Sequence, residues 1–367
     1  MNCELSREKI SVTFDVAQTF LGDGKFSSKN ALVTIKDKKG FIKTTNGDFG
    51  FSGGFSIENV DAEGEFLLPI EKFMSLLKEL PQDKFNLNVE ETKIIIKGKK
   101  FKYSLPKSDT TFVYLDTDKL KNSFTINSQR LSRIFEKVEF CALKDDSRRN
   151  LRAVFIKIDL NETDVVATNS HRLAYKLLDT KSNIKTEQAV KILLPLPTIK
   201  NITPLLASDT GNVRVEIFDN LVKFVFDNGF EVVSRHIDES FPDYKKVAQL
   251  NMNEHEIVIE KSSLVSALKR IQTVSSQNIC NFNYEEKRIV INSQKPDEGE
   301  GNEEIDIINK GKVVGTIGYN IHYILDVLRV IETDEVVVRI NDVAHPIALK
   351  EYNGDDKVVY VIMPVRA

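Results

Sequence analysis

A chain of 367 residues exceeds what one hydrophobic core usually organises and fits two or three domains of ordinary size. Hydrophobic residues make up 41% and charged residues 29%, and no apolar run approaches the roughly 20 residues of a membrane span. With 51 Lys plus Arg against 54 Asp plus Glu the net charge is −3, which excludes a protein that coats nucleic acid through bulk positive charge; any DNA contact must come from a segregated basic face.

In chain order, the opening Met-Asn-Cys-Glu-Leu-Ser-Arg is charged and lacks the apolar stretch of a signal peptide, so a cytoplasmic location is expected. Ile10, Phe14, Ala17 and Leu21 predict a first helix, and Asn46-Gly47 a tight hairpin turn. After Pro69, the spacing of Ile70, Phe73, Met74, Leu77 and Leu80 predicts a second helix, followed by an alternating strand through Phe85, Leu87 and Val89. The same grammar returns twice. Leu131, Ile134, Phe135 and Val138 predict a helix, then Ile199, Ile202, Leu205 and Leu206 another, leading into Val213, Val215 and Ile217, with a turn at Asn228-Gly229. Leu264, Leu268 and Ile271 open the last copy; Ile321, Ile324, Leu325, Leu328 and Ile331 lead into Val336, Val338 and Ile340, with a turn at Asn353-Gly354.

Phe85, Val213 and Val336 thus recur at a period of about 125 residues, the size of one domain. The expected fold is α+β: three repeated domains, each of two helices packed on antiparallel sheets, spanning 1–118, 119–250 and 251–367. Polar stretches such as Asp116-Thr117-Asp118-Lys119 and Asn251-Met252-Asn253-Glu254 mark the boundaries. The Glu- and Gly-rich segment Gln294 to Glu304 reads as a solvated hairpin loop rather than an acidic docking tail.

No chemistry-bearing motif stands out. Phosphate-binding glycine loops of the G-x-x-x-x-G-K-[ST] and G-x-G-x-x-G types are absent. Cys3, Cys141 and Cys280 are scattered and suit reduced, buried thiols, while the five His residues stand apart in sequence, so neither a metal nor another cofactor is expected. An acid-base pair assembled by folding stays open, because 54 carboxylates are available. More informative are polar residues set among apolar strands. Val165-Val166-Ala167-Thr168-Asn169-Ser170-His171-Arg172-Leu173-Ala174 runs from a strand through a turn and back, which by itself describes a capped hairpin. It is accompanied by Ser240-Phe241-Pro242-Asp243-Tyr244-Lys245-Lys246-Val247 near the end of the second repeat and Tyr360-Val361-Ile362-Met363-Pro364-Val365-Arg366 near the end of the third.

Those three stretches, with Ile317-Gly318-Tyr319-Asn320-Ile321-His322-Tyr323-Ile324-Leu325-Asp326-Val327-Leu328, closely resemble the bacterial DNA polymerase III beta subunit family, the sliding clamps. The resemblance covers the whole chain, strongest from residue 150 onward. The shorter two-domain clamps fit less well, since a third repeat is visible. The resemblance implies a non-catalytic processivity subunit, a DNA clamp fold assembled as a head-to-tail ring dimer around duplex DNA. The dimer is closed by two identical contacts between first and third domains. Its implied partners are double-stranded DNA without sequence preference, the polymerase III catalytic subunit, the clamp loader and other proteins carrying a clamp-binding motif. Such proteins dock through a short, mostly apolar peptide in a cleft between the second and third domains. The matching positions are Leu151, Thr168, Ser170, His171, Arg172, Leu173, Pro242, Lys246, Val247, Val361, Ile362, Met363, Pro364, Val365 and Arg366. Leu173, Val247, Val361 and Met363 would supply apolar walls, His171 and Arg172 would fix the peptide backbone, and packing in the domain core is the competing reading of each apolar member. Three positions depart from the family: Ser170 replaces a usual Gly, Lys246 a frequent Arg, and Ala367 a larger apolar residue. A side chain at 170 would be strained if the backbone there needs φ > 0.

For DNA, Arg130, Arg133 and Lys137 at i, i+3 and i+7 lie away from the apolar residues of their helix, and Lys72, Lys200, Lys269 and Arg270 add charge to the equivalent helices. A loop matching the family's DNA-approaching turn contributes Arg148 and Arg149, and Lys25 sits in a Gly-rich turn. An ordinary solvated face is the alternative for each. Phosphate attraction carries no sequence information, so such a lining would let duplex slide. The rival functions are a paralogous ring serving other DNA transactions and a DNA-processing enzyme.

Overall fold

The computed structural model describes residues 1–21, 29–159, 162–179, 189–249, 255–275, 277–295, 299–308, 315–342, 345–354 and 358–365. Lys25, Arg366, Ala367 and the expected boundary at 250 lie outside the described residues. Seven helices are present among these residues: α1 (Arg7–Thr19), α2 (Ile70–Glu79), α3 (Ser128–Val138), α4 (Leu196–Ser208), α5 (Lys245–Gln249), α6 (Lys261–Val274) and α7 (Ile321–Val330). All but α5 were expected, two to a repeat, and each buries the apolar face its spacing defines. In α2, Ile70, Phe73, Met74 and Leu77 are buried; in α6, Leu264, Ala267, Leu268 and Ile271. Ser6 caps α1 by accepting the Lys9 N–H at 3.4 Å, and Asp83 accepts from the Glu8 N–H and the Ser6 hydroxyl, which holds the Asp83 carboxyl below its usual range.

The described chain gathers into two compact units. One comprises Met1–Ser132 with Pro197–His236; the other takes most of 133–196 and everything from Ile237 onward. The strand ladders explain why three repeats condense into two. In the first unit an antiparallel eight-stranded sheet runs Asn122–Asn127, Asn212–Ile217, Leu221–Phe226, Glu231–Arg235, Phe49–Ser56, Lys39–Thr45, Asn30–Lys36, Gly64–Pro69. Its seam, Glu231↔Ser52 to Ser234↔Phe49, joins the second repeat to the first, and Phe51 packs edge-on against Phe230 at 5.2 Å. A five-stranded sheet completes this unit, with Lys102–Pro106 as one of its edges.

The second unit has the same plan. Its eight-stranded sheet runs Val190–Pro195, Ala153–Ile158, Glu162–Thr168, Arg172–Asp179, Val358–Ile362, Ile347–Glu351, Glu335–Ile340, His255–Glu260. The seam between second and third repeats is Arg172↔Ile362 through Lys176↔Val358. A four-stranded sheet, edged by Gly299–Asp306, packs beside α6. The turns expected at Asn46-Gly47 and Asn228-Gly229 join neighbouring strands, with φ of 93° at Gly47 and 84° at Gly229, the left-handed region that glycine enters without strain. The segment Gln294 to Glu304 is less of a loop than expected: strands Arg288–Lys295 and Gly299–Asp306 pair from Arg288↔Asp306 to Lys295↔Gly299, and only 296–298 lie outside the described residues.

Candidate partner-binding site

The turn Thr168–Arg172 closes a hairpin and is held by its own side chains. The Thr168 hydroxyl donates to the Arg172 carbonyl at 2.7 Å and accepts the Ser170 N–H at 3.1 Å; Asn169 Oδ1 accepts the N–H groups of His171 and Arg172, each at 3.0 Å. This lattice fixes the turn and leaves Ser170 and His171 exposed. Ser170 has φ of 74°, so the backbone does require the left-handed region where the family usually places Gly, and the turn keeps that shape with a side chain present.

Arg172 does not project toward solvent as a peptide-fixing group. It is 4% exposed, with Nη1 2.7 Å from Asp326 Oδ2 on α7, while Nη2 donates to the Phe140 carbonyl. Its guanidinium lies 4.6 Å from the Tyr323 ring centroid and 5.3 Å from that of Phe140. Strand alternation accounts for this: Arg172 and Ile362 are register partners on one face of the sheet, Leu173 and Val361 on the other. Arg172 is therefore a buried clamp between the second-repeat hairpin and the third-repeat helix. The His171 ring, its neighbour in sequence, lies near-parallel to the Tyr323 ring at 23°, the centroids 6.5 Å apart.

Leu173 and Val361 fall in one apolar cluster with Ala153, Phe155, Val166, Leu193, Tyr244, Ala248 and Ala348, against which Val247 and Phe241 pack part-buried. Leu173 and Val361 form the buried floor, while Ile362 is buried on the opposite face of the sheet and Leu151 is buried outside this cluster; Val247, Met363, Pro364 and Val365 are half-buried and offer apolar surface. Pro242 and Lys246 are exposed, and Lys246 Nζ stands 3.9 Å from Asp243. Two backbone bonds seat the terminal segment against its neighbours: Met363 N–H to the His171 carbonyl at 2.9 Å, and Val365 N–H to the Gly318 carbonyl at 2.8 Å. A Cβ at Gly318 would meet the Val365 carbonyl oxygen at 2.7 Å, so glycine is required for that approach. The turn Arg149–Leu151 is tied in by the Asn150 side-chain amide, which donates to the Ser240 carbonyl at 2.9 Å.

The basic residues fare unequally. Lys72 on α2, Arg130 and Arg133 on α3, Lys200 on α4, Lys269 on α6, and Arg148 and Arg149 in their loop are exposed. Lys137, expected on a DNA-facing surface, is instead 7% exposed, with Nζ 3.5 Å from Glu351 and 3.6 Å from Glu332, because carboxylates of the third repeat cover that end of α3. Arg270 is exposed but forms a two-pronged pair with Glu303, 2.7 Å on each prong, which raises the guanidinium's affinity for its proton and lowers the Glu303 pKa. Its charge is largely spent within the chain.

Comparison with known proteins agrees with this architecture. Residues 125–243 match the family model for the central domain of the DNA polymerase III beta subunit, and residues 251–366 the model for its C-terminal domain. The chain belongs to the DNA polymerase III beta subunit family. The beta sliding clamp of Pseudomonas putida is 26% identical over 345 residues, covering 92% of this chain and 91% of the relative; that of Pseudomonas aeruginosa is 26% identical over 343 residues with the same coverage. Among solved structures, a Pseudomonas aeruginosa DNA polymerase III subunit beta superposes with a TM-score of 0.92 at 24% identity over 100% of both chains, and a Thermotoga maritima beta subunit with 0.89 at 24% identity, over 100% of this chain and 99% of that one. The fold is that of a DNA sliding clamp, and the chain is a non-catalytic processivity subunit of the replicative polymerase. No helix among the described residues is long and apolar enough to cross a membrane.

Family membership leaves several contributors that sequence reading passed over. Asn169 organises the turn, Asp326 and Tyr323 receive Arg172, and Tyr244 ties the Pro242–Val247 stretch to the apolar cluster. An acidic residue at the middle of α7 was the one available hint to the Arg172 partner, and only a fold puts them together.

Proposed function

We propose that two copies of this chain close a ring on duplex DNA and present, on each copy, the site around Val247, His171 and Met363 to short apolar peptides of the polymerase, the clamp loader and other partners. The single observation that carries ring closure is a pair of sheet edges. Lys102–Pro106 is an edge strand that follows Lys97, Lys99 and Lys100 and exposes Tyr103; Gly299–Asp306 is an edge strand that exposes Glu300 and Asp306, beside Glu303 and Glu304 which pair with Arg270 and Arg288, and is followed by exposed Ile308. Edge strands with free ladder groups invite pairing, and here the two edges differ in charge, so head-to-tail pairing is favoured over like-with-like. The three repeats, at 1–118, 119–250 and 251–367, make six domains per ring.

In this reading Lys72, Arg130, Arg133, Arg148, Arg149, Lys200 and Lys269 supply weak phosphate attraction, and enclosure supplies retention. Topology tests it. After loading, the protein should remain on nicked circular DNA at moderate salt and be lost when the circle is linearised; equal retention on both forms would refute the ring. The partner site is tested separately by Met363→Ala, which should weaken binding of a Gln- and Leu-containing peptide while light scattering still reports a dimer.

A further inference from the structure

We propose that Asp164 is a positioning residue for the partner site: buried beneath the Phe241–Ala248 segment, it latches Tyr244 and so holds Pro242, Lys246 and Val247 against the apolar cluster. This rests on the site reading above. Asp164 lies on Glu162–Thr168 and is 3% exposed, a place where a carboxylate persists only with partners. It has three. Tyr244 Oη donates to Oδ2, Tyr175 Oη donates to Oδ1 at 2.9 Å, and Lys245 Nζ stands 3.6 Å from Oδ2.

The segment needs such a latch. Helix α5 has five residues, too few to persist without tertiary support. Upstream it is tied by the Ile237 N–H to the Leu193 carbonyl at 2.9 Å and by Asn150 to the Ser240 carbonyl. Phe241 stacks on Phe155 at 4.8 Å and 3°. Those contacts, and the packing of Tyr244, Val247 and Ala248 in the apolar cluster, are non-directional or lie at the segment's start. The Tyr244–Asp164 bond is directional, and Tyr244 also accepts the Ala248 N–H on its carbonyl at 2.9 Å, which closes the turn carrying Val247. Burial, and then the bond to Asp164, hold the Tyr244 and Tyr175 phenols far above their ordinary pKa, consistent with both remaining donors to the carboxylate.

The test uses the full-length dimer with Asp164→Ala, Asp164→Asn and Tyr244→Phe, none of which removes a proposed peptide contact. Amide hydrogen exchange should quicken across 241–248 in Asp164→Ala and Tyr244→Phe while Glu335–Ile340 stays protected, and affinity for a fluorescent Gln- and Leu-containing peptide should fall about tenfold. Asp164→Asn keeps an acceptor for Tyr244 and should recover most of both effects. Unchanged exchange at 241–248 would overturn the latch. Quickened exchange with unchanged affinity would overturn its role in positioning the site. If the unsubstituted dimer bound no peptide, the site reading would fail, and the exchange data would still decide whether the latch exists.

Discussion

Replacing Arg172 by Ala tests whether the second and third repeats are joined by a buried charge as well as by a sheet. The substitution removes the 2.7 Å pair with Asp326, the bond to the Phe140 carbonyl and the packing between the Phe140 and Tyr323 rings. Breaking a buried pair by deleting one partner costs about 3–5 kcal/mol. Asp326 is 29% exposed and can recover some hydration, so the lower end, about 3 kcal/mol, is expected. For a unit of this size each kcal/mol lowers Tm by roughly 2–4 °C, so the transition of the second unit should fall by about 6–12 °C. Calorimetry is the assay, because the two units need not melt together and a single optical midpoint would blur them. Arg172→Lys keeps the charge but loses the flat two-pronged donor and should recover only part of the loss. Crossing Arg172→Ala with Asp326→Asn should give a coupling of about 1 kcal/mol or more. A shift under about 2 °C for Arg172→Ala, or full additivity with Asp326→Asn, would refute the clamp.

Ser170→Gly should raise stability by about 0.5–1 kcal/mol, since it relieves a side chain at φ of 74°, whereas Ser170→Val should lower it by at least about 1 kcal/mol; denaturant titration decides both. Burial pushes the thiols of Cys3, Cys141 and Cys280 up to about 12, so a thiol reagent at pH 8 should label none of them in the native protein and all three after denaturation. A raised folded pKa means the native state keeps protons the unfolded chain has released. That stability is complete below the unfolded value near ~8.5 and is lost as pH climbs toward about 12, so a denaturation midpoint that rises over this window would contradict the assignment. Reversing Lys100 and Lys102 to Glu should weaken the dimer at low salt, with recovery when Glu300 and Asp306 are reversed on the opposite edge; sedimentation of the paired variants reads this out.

What was legible in sequence was what is local. Helix faces repeat every three to four residues and strands every two, so α2, its following strand Lys84–Val89 and their two copies could be placed from the spacing of Ile, Leu, Phe and Val alone. The seams were not legible, because Glu231↔Ser52 and Arg172↔Ile362 join residues nearly two hundred positions apart and no period connects them. Charge was the least legible property, and Lys137 shows why. Its place on α3 relative to Leu131, Ile134 and Phe135 is the place of a solvated lysine, and nothing within the helix announces that Glu351 will arrive from the third repeat to pair with it. Arg172 and Asp164 repeat the lesson on the same sheet: each is a charged residue in a strand, and each is buried against a partner from a different part of the chain. These three buried charges all lie where the second repeat meets the third or where the Phe241–Ala248 segment crosses the sheet. A strand ladder can slip by two residues without exchanging its faces, whereas a carboxylate facing a guanidinium or a phenol meets its partner in a narrower set of positions. On the proposed reading of the site, a hairpin turn, a short helix and a terminal segment must share that register, and Arg172 and Asp164 are buried behind the residues that a partner would touch.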